Sequence, residues 1–200
     1  MKRTVCLSVC LLLLAALCAC ARSPAMDLSG FLQSRRELGA PLDLTRLYRT
    51  ESGAGEQFWL PLGDALSLRL FAAASGTLYE GRVLLRTMTA DGAALPVTAA
   101  ARDKFRRECA FTLRAFCGVS EEEADRLLRA LSVSDAAADA AGTLTTQSGP
   151  FALSLQAHPL ELAFSVRDTR LLALPTAAVP ESSPLFGETV ATRRETVPHK

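Results

Sequence analysis

Histidine and lysine are scarce in this 200-residue chain, and this limits the chemistry that it can carry. The histidines are His158 and His199, and Lys104 is the one lysine far from both ends. A metal site needs three or four converging ligands, and the segment "HPLE" offers His158 and Glu161 at most. No GxSxG, HExxH, Walker A, GxGxxG or CxxC pattern occurs. The sequence therefore predicts no metal, no cofactor and no catalytic residue, and favours a protein that is not an enzyme.

Excess charge is also lacking. Lys plus Arg number 22 and Asp plus Glu number 21, which leaves a formal net charge of +1. Proteins that hold nucleic acid carry a marked basic excess, because phosphate contacts dominate that affinity. We therefore expect no nucleic-acid partner. The length and the 49% of hydrophobic residues suit one folded domain of ordinary size.

The N-terminus has the three parts of an export signal. Two basic residues, Lys2 and Arg3, precede an apolar run that ends near Leu17, and the small residues of 18–21 follow. Leu17-Cys18-Ala19-Cys20 resembles the lipobox of bacterial lipoproteins. The resemblance implies that Cys20 carries a thioether-linked diacylglycerol and its acyl chains, such as palmitate, and becomes the mature N-terminus. The chain would then be anchored in a membrane of the bacterial cell envelope, on the periplasmic side or at the cell surface.

Other interpretations of this leader stay open. Ala19-Cys20-Ala21 also fits ordinary signal peptidase, which would release a soluble protein beginning at Arg22. The run from Thr4 to Ala21 has 18 residues, and about 17 to 25 can span a bilayer. The cysteines could also be incidental small residues of the leader.

The chain divides by composition into four parts. These are a signal peptide at 1–19, a short tether at 20–26, a single domain at 27–174 and a tail at 175–200. The tail has four prolines among 26 residues, a composition typical of a segment that does not pack.

Hydrophobic periodicity predicts an α+β domain. The segment "DLSGFLQSRRELGAP" indicates a brief helix that stops at Gly39 and Pro41. From Gln57 to Leu95 the residues alternate, which predicts three or four antiparallel strands with turns at Gly63-Asp64, Ser75-Gly76 and Asp91-Gly92. Leu66, Leu68 and Leu70 face one way in this meander, and Arg69, Arg82 and Arg86 face the other.

Two helices are predicted next. Phe105, Cys109, Leu113 and Phe116 form one apolar stripe, and Gly118 ends that helix. Ser120 and Glu123 form a capping box for a second helix with a buried face of Ala124, Leu127, Leu128 and Leu131.

Alternation returns at Thr143–Thr146, Phe151–Ala157 and Leu160–Val166. The order of strands, a two-helix insertion and strands predicts a mainly antiparallel sheet with helices packed on one face.

Several residues are candidates for a site. Cys109 and Cys117 could form a disulfide only if the helix ends before Cys117, and two buried thiols is the plainer interpretation. The lone tryptophan, Trp59, could rim a binding groove, but an aromatic residue on a first strand is more often part of the core. The three arginines of the meander could bind an anion or simply protect the sheet from edge pairing. Four acids could meet in space without a local signature: Asp64, Glu80, Asp103 and Asp168.

Three functional hypotheses follow. The first is a membrane-anchored, non-enzymatic envelope lipoprotein that binds a partner protein or supports an envelope assembly. The second is a carrier or sensor of an apolar ligand, which would need a cavity lined by residues such as Phe105, Phe116, Leu153 and Phe164. The third is a secreted hydrolase that uses two of the four acids in one pocket.

Overall fold

The computed structural model describes residues 26–52, 55–89, 92–95, 97–133 and 142–171. These residues form three α-helices and seven β-strands, apart from short 3₁₀ turns. The helices are α1 (Leu28–Glu37), α2 (Ala99–Cys117) and α3 (Glu121–Ala130). The strands are β1 (Tyr48–Ser52), β2 (Gly55–Pro61), β3 (Leu66–Ala73), β4 (Leu78–Arg86), β5 (Gly142–Ser148), β6 (Phe151–His158) and β7 (Glu161–Asp168).

The strands build one antiparallel sheet from two meanders. The strand order is β1-β2-β3-β4-β7-β6-β5, so that the last strand of the second meander lies beside the last strand of the first. The two-helix insertion connects the meanders, as the sequence predicts. The predicted α+β class, with a mainly antiparallel sheet and helices on one face, is confirmed.

Local capping residues set the helix ends. The Asp27 carboxylate accepts the Gly30 N–H at 2.7 Å and starts α1. The Ser120 hydroxyl accepts the Glu123 N–H at 3.2 Å and starts α3, which is half of the predicted capping box, while the Glu123 carboxylate accepts from Arg126 instead. Between them, Gly118 adopts a left-handed φ of 66° and ends α2. These signals are local, and each one was readable in the sequence.

The helix layer packs closely on the middle of the sheet. Helix α2 lies on β4 and β7, and α1 and α3 pack beside it. Phe116 of α2 lies directly over Gly81 of β4, where a Cβ atom would come within 2.6 Å of its ring. The same ring lies 5.3 Å from that of Phe31 of α1. The absence of a side chain at Gly81 thus lets the helix approach the sheet.

A buried ion pair joins two of the helices. Arg35 of α1 is 1% exposed and donates to the Glu108 carboxylate of α2 at 2.7 Å. Its guanidinium also lies 5.2 Å from the centre of the Phe111 ring. The periodicity of α1 does not show this burial, because Arg35 is a charged residue on the buried face.

Two predicted strand details differ from the structure. The first strand of the sheet, β1, precedes the alternating segment that begins at Gln57. Leu160 lies in the β6–β7 turn and is 44% exposed, so β7 begins one residue later, at Glu161. The difference at β7 is one of boundary, whereas β1 is a whole strand that was not predicted, because its five residues carry too little periodicity to mark it.

Candidate functional site

One row of side chains crosses the sheet on the face turned away from the helices. Consecutive register pairs place one residue from each strand side by side across the full width of the sheet. Six interstrand gaps of about 4.8 Å give this row a length of about 29 Å. We call it the transverse row, and its residues, from β1 to β5, are Tyr48, Trp59, Arg69, Arg82, Ser165, Ser154 and Thr145.

Every side chain in the transverse row can donate a hydrogen bond, and none is a carboxylate. The row begins with two aromatic residues, continues with two arginines and ends with three hydroxyls. Ser154 and Ser165 use one donor on each other, at 2.8 Å. A surface of this kind suits groups that accept hydrogen bonds and carry negative charge.

An acid, Glu80, lies beside the centre of the row and next to a β-bulge. The register between β3 and β4 shifts at Phe71/Ala72, so that Ala72 pairs with Leu78 and Phe71 pairs with Glu80. Two residues, Tyr79 and Glu80, therefore stand between the inward-facing Leu78 and Gly81. Glu80 lies two residues from Arg82 and so faces the open side by regular alternation, whereas the extra residue of the bulge returns Leu78 to the helix side.

Glu80 fixes two arginines from neighbouring strands. One carboxylate oxygen accepts from Nε of Arg82, and the other accepts from Nε and Nη2 of Arg167 at 3.0 and 2.7 Å. The Glu80 side chain is 3% exposed, whereas those of Arg82 and Arg167 are 33% and 31% exposed. The Arg82 guanidinium also lies 5.0 Å from the centre of the Phe71 ring. The acid is thus buried beneath two guanidinium groups whose remaining N–H groups reach solvent.

Arg69 and Arg82 lie directly opposite each other on β3 and β4. Burial lowers the pKa of Arg69 below its usual value, attraction to Glu161 works against this, and repulsion from Arg82 adds to it. Like charges directly opposite on a sheet are destabilising. The centre of the row therefore holds two cations that repel each other although acids lie nearby.

Trp59 lies at the aromatic end of the row and not in the core, so the prediction for it was wrong. The core positions of β2 belong to Phe58 and Leu60, and the alternation turns Trp59 to the open face. Its ring stacks on Tyr48 at 5.0 Å and 28°. Its indole N–H is buried and makes no hydrogen bond in the described structure.

The four acids named from the sequence are dispersed. Asp103 is exposed on α2 and Asp64 is exposed in the β2–β3 turn. Glu80 faces the open side, and so does its register partner Arg167. Asp168 follows Arg167 in β7 and therefore points to the helix side. Asp168 pairs with Arg170 at 2.6 Å. Burial raises the pKa of Asp168, but hydrogen bonds from Arg170 outweigh this and hold it below the usual value. The two buried acids thus lie on opposite faces.

The remaining polar candidates have structural positions. His158 and Glu161 are register partners at the β6–β7 hairpin, where His158 Nδ1 accepts the Leu160 N–H at 3.3 Å. Lys104 donates to the Leu62 carbonyl. Across the described residues, no group of three potential metal ligands converges. Arg86 donates to the Asp64 carbonyl at the end of β4, away from the transverse row.

Cys109 and Cys117 are both free thiols. Helix α2 runs without a break to Cys117, which keeps the two residues about 12 Å apart along the axis. This exceeds the span of a disulfide, so the pairing that the sequence left open is not formed. Burial is the main cause that raises the pKa of the Cys117 thiol to about 12, and it raises that of Cys109 strongly as well. Both thiols are therefore protonated near neutral pH.

The four residues proposed to line a ligand cavity belong to the packed core. Phe105, Phe116, Leu153 and Phe164 are each at most 5% exposed and lie in one hydrophobic cluster. Side chains packed in this way leave less room for a ligand than the proposed cavity needs.

Cys20 and the rest of the predicted leader lie outside the described residues, as does the predicted tail. Within the described part of the chain, none of the helices combines the length and apolarity needed to cross a bilayer. Comparison with family models, with curated proteins and with solved structures finds no match to this chain. The fold and the transverse row thus define an α+β protein with an open, donor-rich sheet face.

The sequence indicated only part of this site. Alternation correctly turned Arg69, Arg82 and Arg86 to the open face. It missed Glu80, Arg167 and the serine pair as members of the site, because β4 and β7 become neighbours across about eighty residues of intervening chain. The signal available was the alternation of polar residues in both meanders, which would place these residues on one face if the two meanders shared a sheet.

Proposed function

We propose that this protein is a membrane-anchored envelope lipoprotein that is not an enzyme and binds a partner protein through the open face of its sheet. The observation that carries the proposal is the transverse row. It sets seven side chains that carry hydrogen-bond donors across a face that none of the described helices covers, although the indole N–H of Trp59 is itself buried. Enrichment in Tyr, Trp and Arg is characteristic of binding surfaces between proteins.

A short tether supports the anchored arrangement. The described part of the chain begins at Met26, whose carbonyl accepts the Leu78 N–H at 2.7 Å. Cys20 precedes Met26 by six residues, which reach about 20 Å when fully extended. A lipid on Cys20 would therefore keep the domain close to the bilayer surface.

The placement of titratable groups favours binding over catalysis. A carboxylate mechanism needs two acids across one pocket, and the two buried acids of this sheet lie on opposite faces, each held by arginine. The thiols are protonated, and His158 lies in a hairpin. The packed aromatic core likewise gives no support to the apolar-carrier hypothesis.

Two measurements test the proposal. The first is intact mass spectrometry of the mature N-terminus for the native chain, Cys20→Ala and Cys18→Ala, expressed in a bacterial host. We expect an acylated N-terminal peptide that only Cys20→Ala abolishes. A free N-terminus at Arg22 in all three would contradict the anchor.

The second measurement is photo-crosslinking in the cells that produce the protein. A photoreactive residue replaces Thr145 at the exposed end of the row, and a matched control replaces the exposed Glu122 on α3. We expect a discrete crosslinked protein from the Thr145 position alone, reduced by Cys20→Ala. Equal crosslinking from both positions, or none from either, would argue against a partner on the open face.

A further inference from the structure

We infer that the transverse row binds an extended acidic segment of the partner protein, whose carboxylates lie against Arg69 and Arg82. This inference rests on the proposed function, since it names the chemistry of the partner that the open face would hold. It follows from the charge of the row, the way its arginines are held and the spacing of its donors.

The first argument is charge complementarity at the centre of the row. Arg69 and Arg82 are register partners on adjacent strands, and the row itself contains no acid. Two acids lie near them: Glu161, which attracts Arg69, and Glu80, which is shared between Arg82 and Arg167. One carboxylate thus serves two guanidinium groups, and an arriving anion would lessen the repulsion between the cations.

The second argument is that the central donors are held in place before a ligand arrives. The hydrogen bond of Arg82 to Glu80 uses Nε, which leaves the terminal Nη1 and Nη2 groups on the solvent side of a guanidinium that also contacts the Phe71 ring. The side chain is one-third exposed, so a carboxylate can reach it. Ordering such a side chain beforehand lowers the entropy lost on binding.

The third argument separates an acidic peptide from a neutral polymer such as a glycan. Sugar hydroxyls donate as well as accept, so a neutral sugar needs acceptors on the protein. The strong ionised acceptors are missing from the row, and the two serine hydroxyls are already bonded to each other. Carboxylates only accept. Alternate residues of an extended peptide lie about 7 Å apart on one side, a spacing that two long guanidinium side chains on adjacent strands can follow.

The test is a titration of the full chain, purified in detergent micelles at an ionic strength of about 0.15 M, with a fluorescein-labelled (Glu-Thr)4 peptide. Anisotropy gives the affinity. Emission of Trp59, the one tryptophan of the chain, reports whether binding occurs at the row. We expect saturable binding that changes this emission, and at least about 10-fold weaker binding by the double variant Arg69→Gln/Arg82→Gln.

The matched control removes the same charge elsewhere. Arg102→Gln/Arg106→Gln alters two exposed arginines of α2 and should leave the affinity within about 2-fold, since charges separated by more than a Debye length interact weakly. A second pair of variants leaves Glu80 and the arginines unchanged. Thr145→Glu should weaken binding by about 2- to 5-fold, whereas Leu144→Glu adds the same charge on the opposite face of β5 and should have less effect.

Four results would overturn the inference. They are no saturable binding, equal binding of a (Gln-Thr)4 peptide, equal losses in the target and control variants, and tighter binding of polygalacturonate than of the peptide. The last would assign the row to an anionic glycan. None of these results changes the acylation or crosslinking readouts, so failure here is distinguishable from failure of the proposed function.

Discussion

Replacing Gly81 with alanine tests how closely the helix layer packs on the sheet. The new methyl group would lie 2.6 Å from Cε2 of Phe116, with two further ring atoms at 3.2 and 3.3 Å. Phe116 is 5% exposed and is itself packed against Phe31. Neither the ring nor β4 can move away without disturbing other core contacts.

The expected magnitude is a difference of two effects. Overpacking of a core costs about 1–3 kcal/mol, and the smaller freedom of alanine in the unfolded chain returns about 0.4–1 kcal/mol. We therefore expect Gly81→Ala to lower the free energy of unfolding by about 1–2 kcal/mol. Gly142→Ala on β5 is the control, because a Cβ there meets nothing within 4 Å, and it should be neutral or slightly stabilising.

Equilibrium unfolding in urea, followed by Trp59 emission, measures both variants. In the Gly81→Ala background, Phe116→Leu should cost less than it does in the native chain, with a coupling of about 1 kcal/mol in the double-mutant cycle. If Gly81→Ala proves as stable as Gly142→Ala, the close approach of α2 to β4 is wrong.

Three further predictions concern the site and the thiols. Glu80→Gln should lower the free energy of unfolding by about 1–3 kcal/mol, because it leaves two partly buried guanidinium groups without their charged acceptor. The same change at Glu51, whose ion pair with Arg49 is exposed, should cost under about 1 kcal/mol, and urea unfolding compares the two. Trp59→Phe removes a buried donor that makes no hydrogen bond, so circular dichroism should show unfolding at an equal or higher urea concentration; a clear loss of stability would mean that this N–H has a partner. Iodoacetamide should modify Cys109 and Cys117 at mildly alkaline pH only in denaturing urea, as judged by peptide mapping. Because the pKa values of both thiols are raised in the folded chain, the free energy of unfolding should fall between pH 9 and pH 12, where the unfolded thiols ionise first. Rapid labelling of the native chain at mildly alkaline pH would contradict the burial and the raised pKa values of the thiols.

The sequence predicted those parts of the fold that depend on neighbours in the chain. The stop at Gly118, the cap at Ser120 and the alternation around Leu68 and Leu70 each involve a few consecutive residues. The site depends instead on which strands become neighbours. Alternation with Arg82 turns Glu80 outward, but nothing near Glu80 in the chain indicates that Arg167 will lie opposite it. Trp59 was misplaced because the expectation followed the tendency of aromatic residues toward the core, whereas its alternation with Phe58 and Leu60 turns it to the open face.

If Cys20 carries a lipid, the hydrogen bond between Met26 and Leu78 would limit how far the sheet can move from the bilayer. Arg82 lies four residues along β4 from Leu78, about 14 Å, and the six residues back to Cys20 add about 20 Å at full extension. With a lipid on Cys20, the centre of the row stays within about 35 Å of the bilayer surface. The protein would then sample a thin layer along the membrane, and only partners that extend into this layer would meet it.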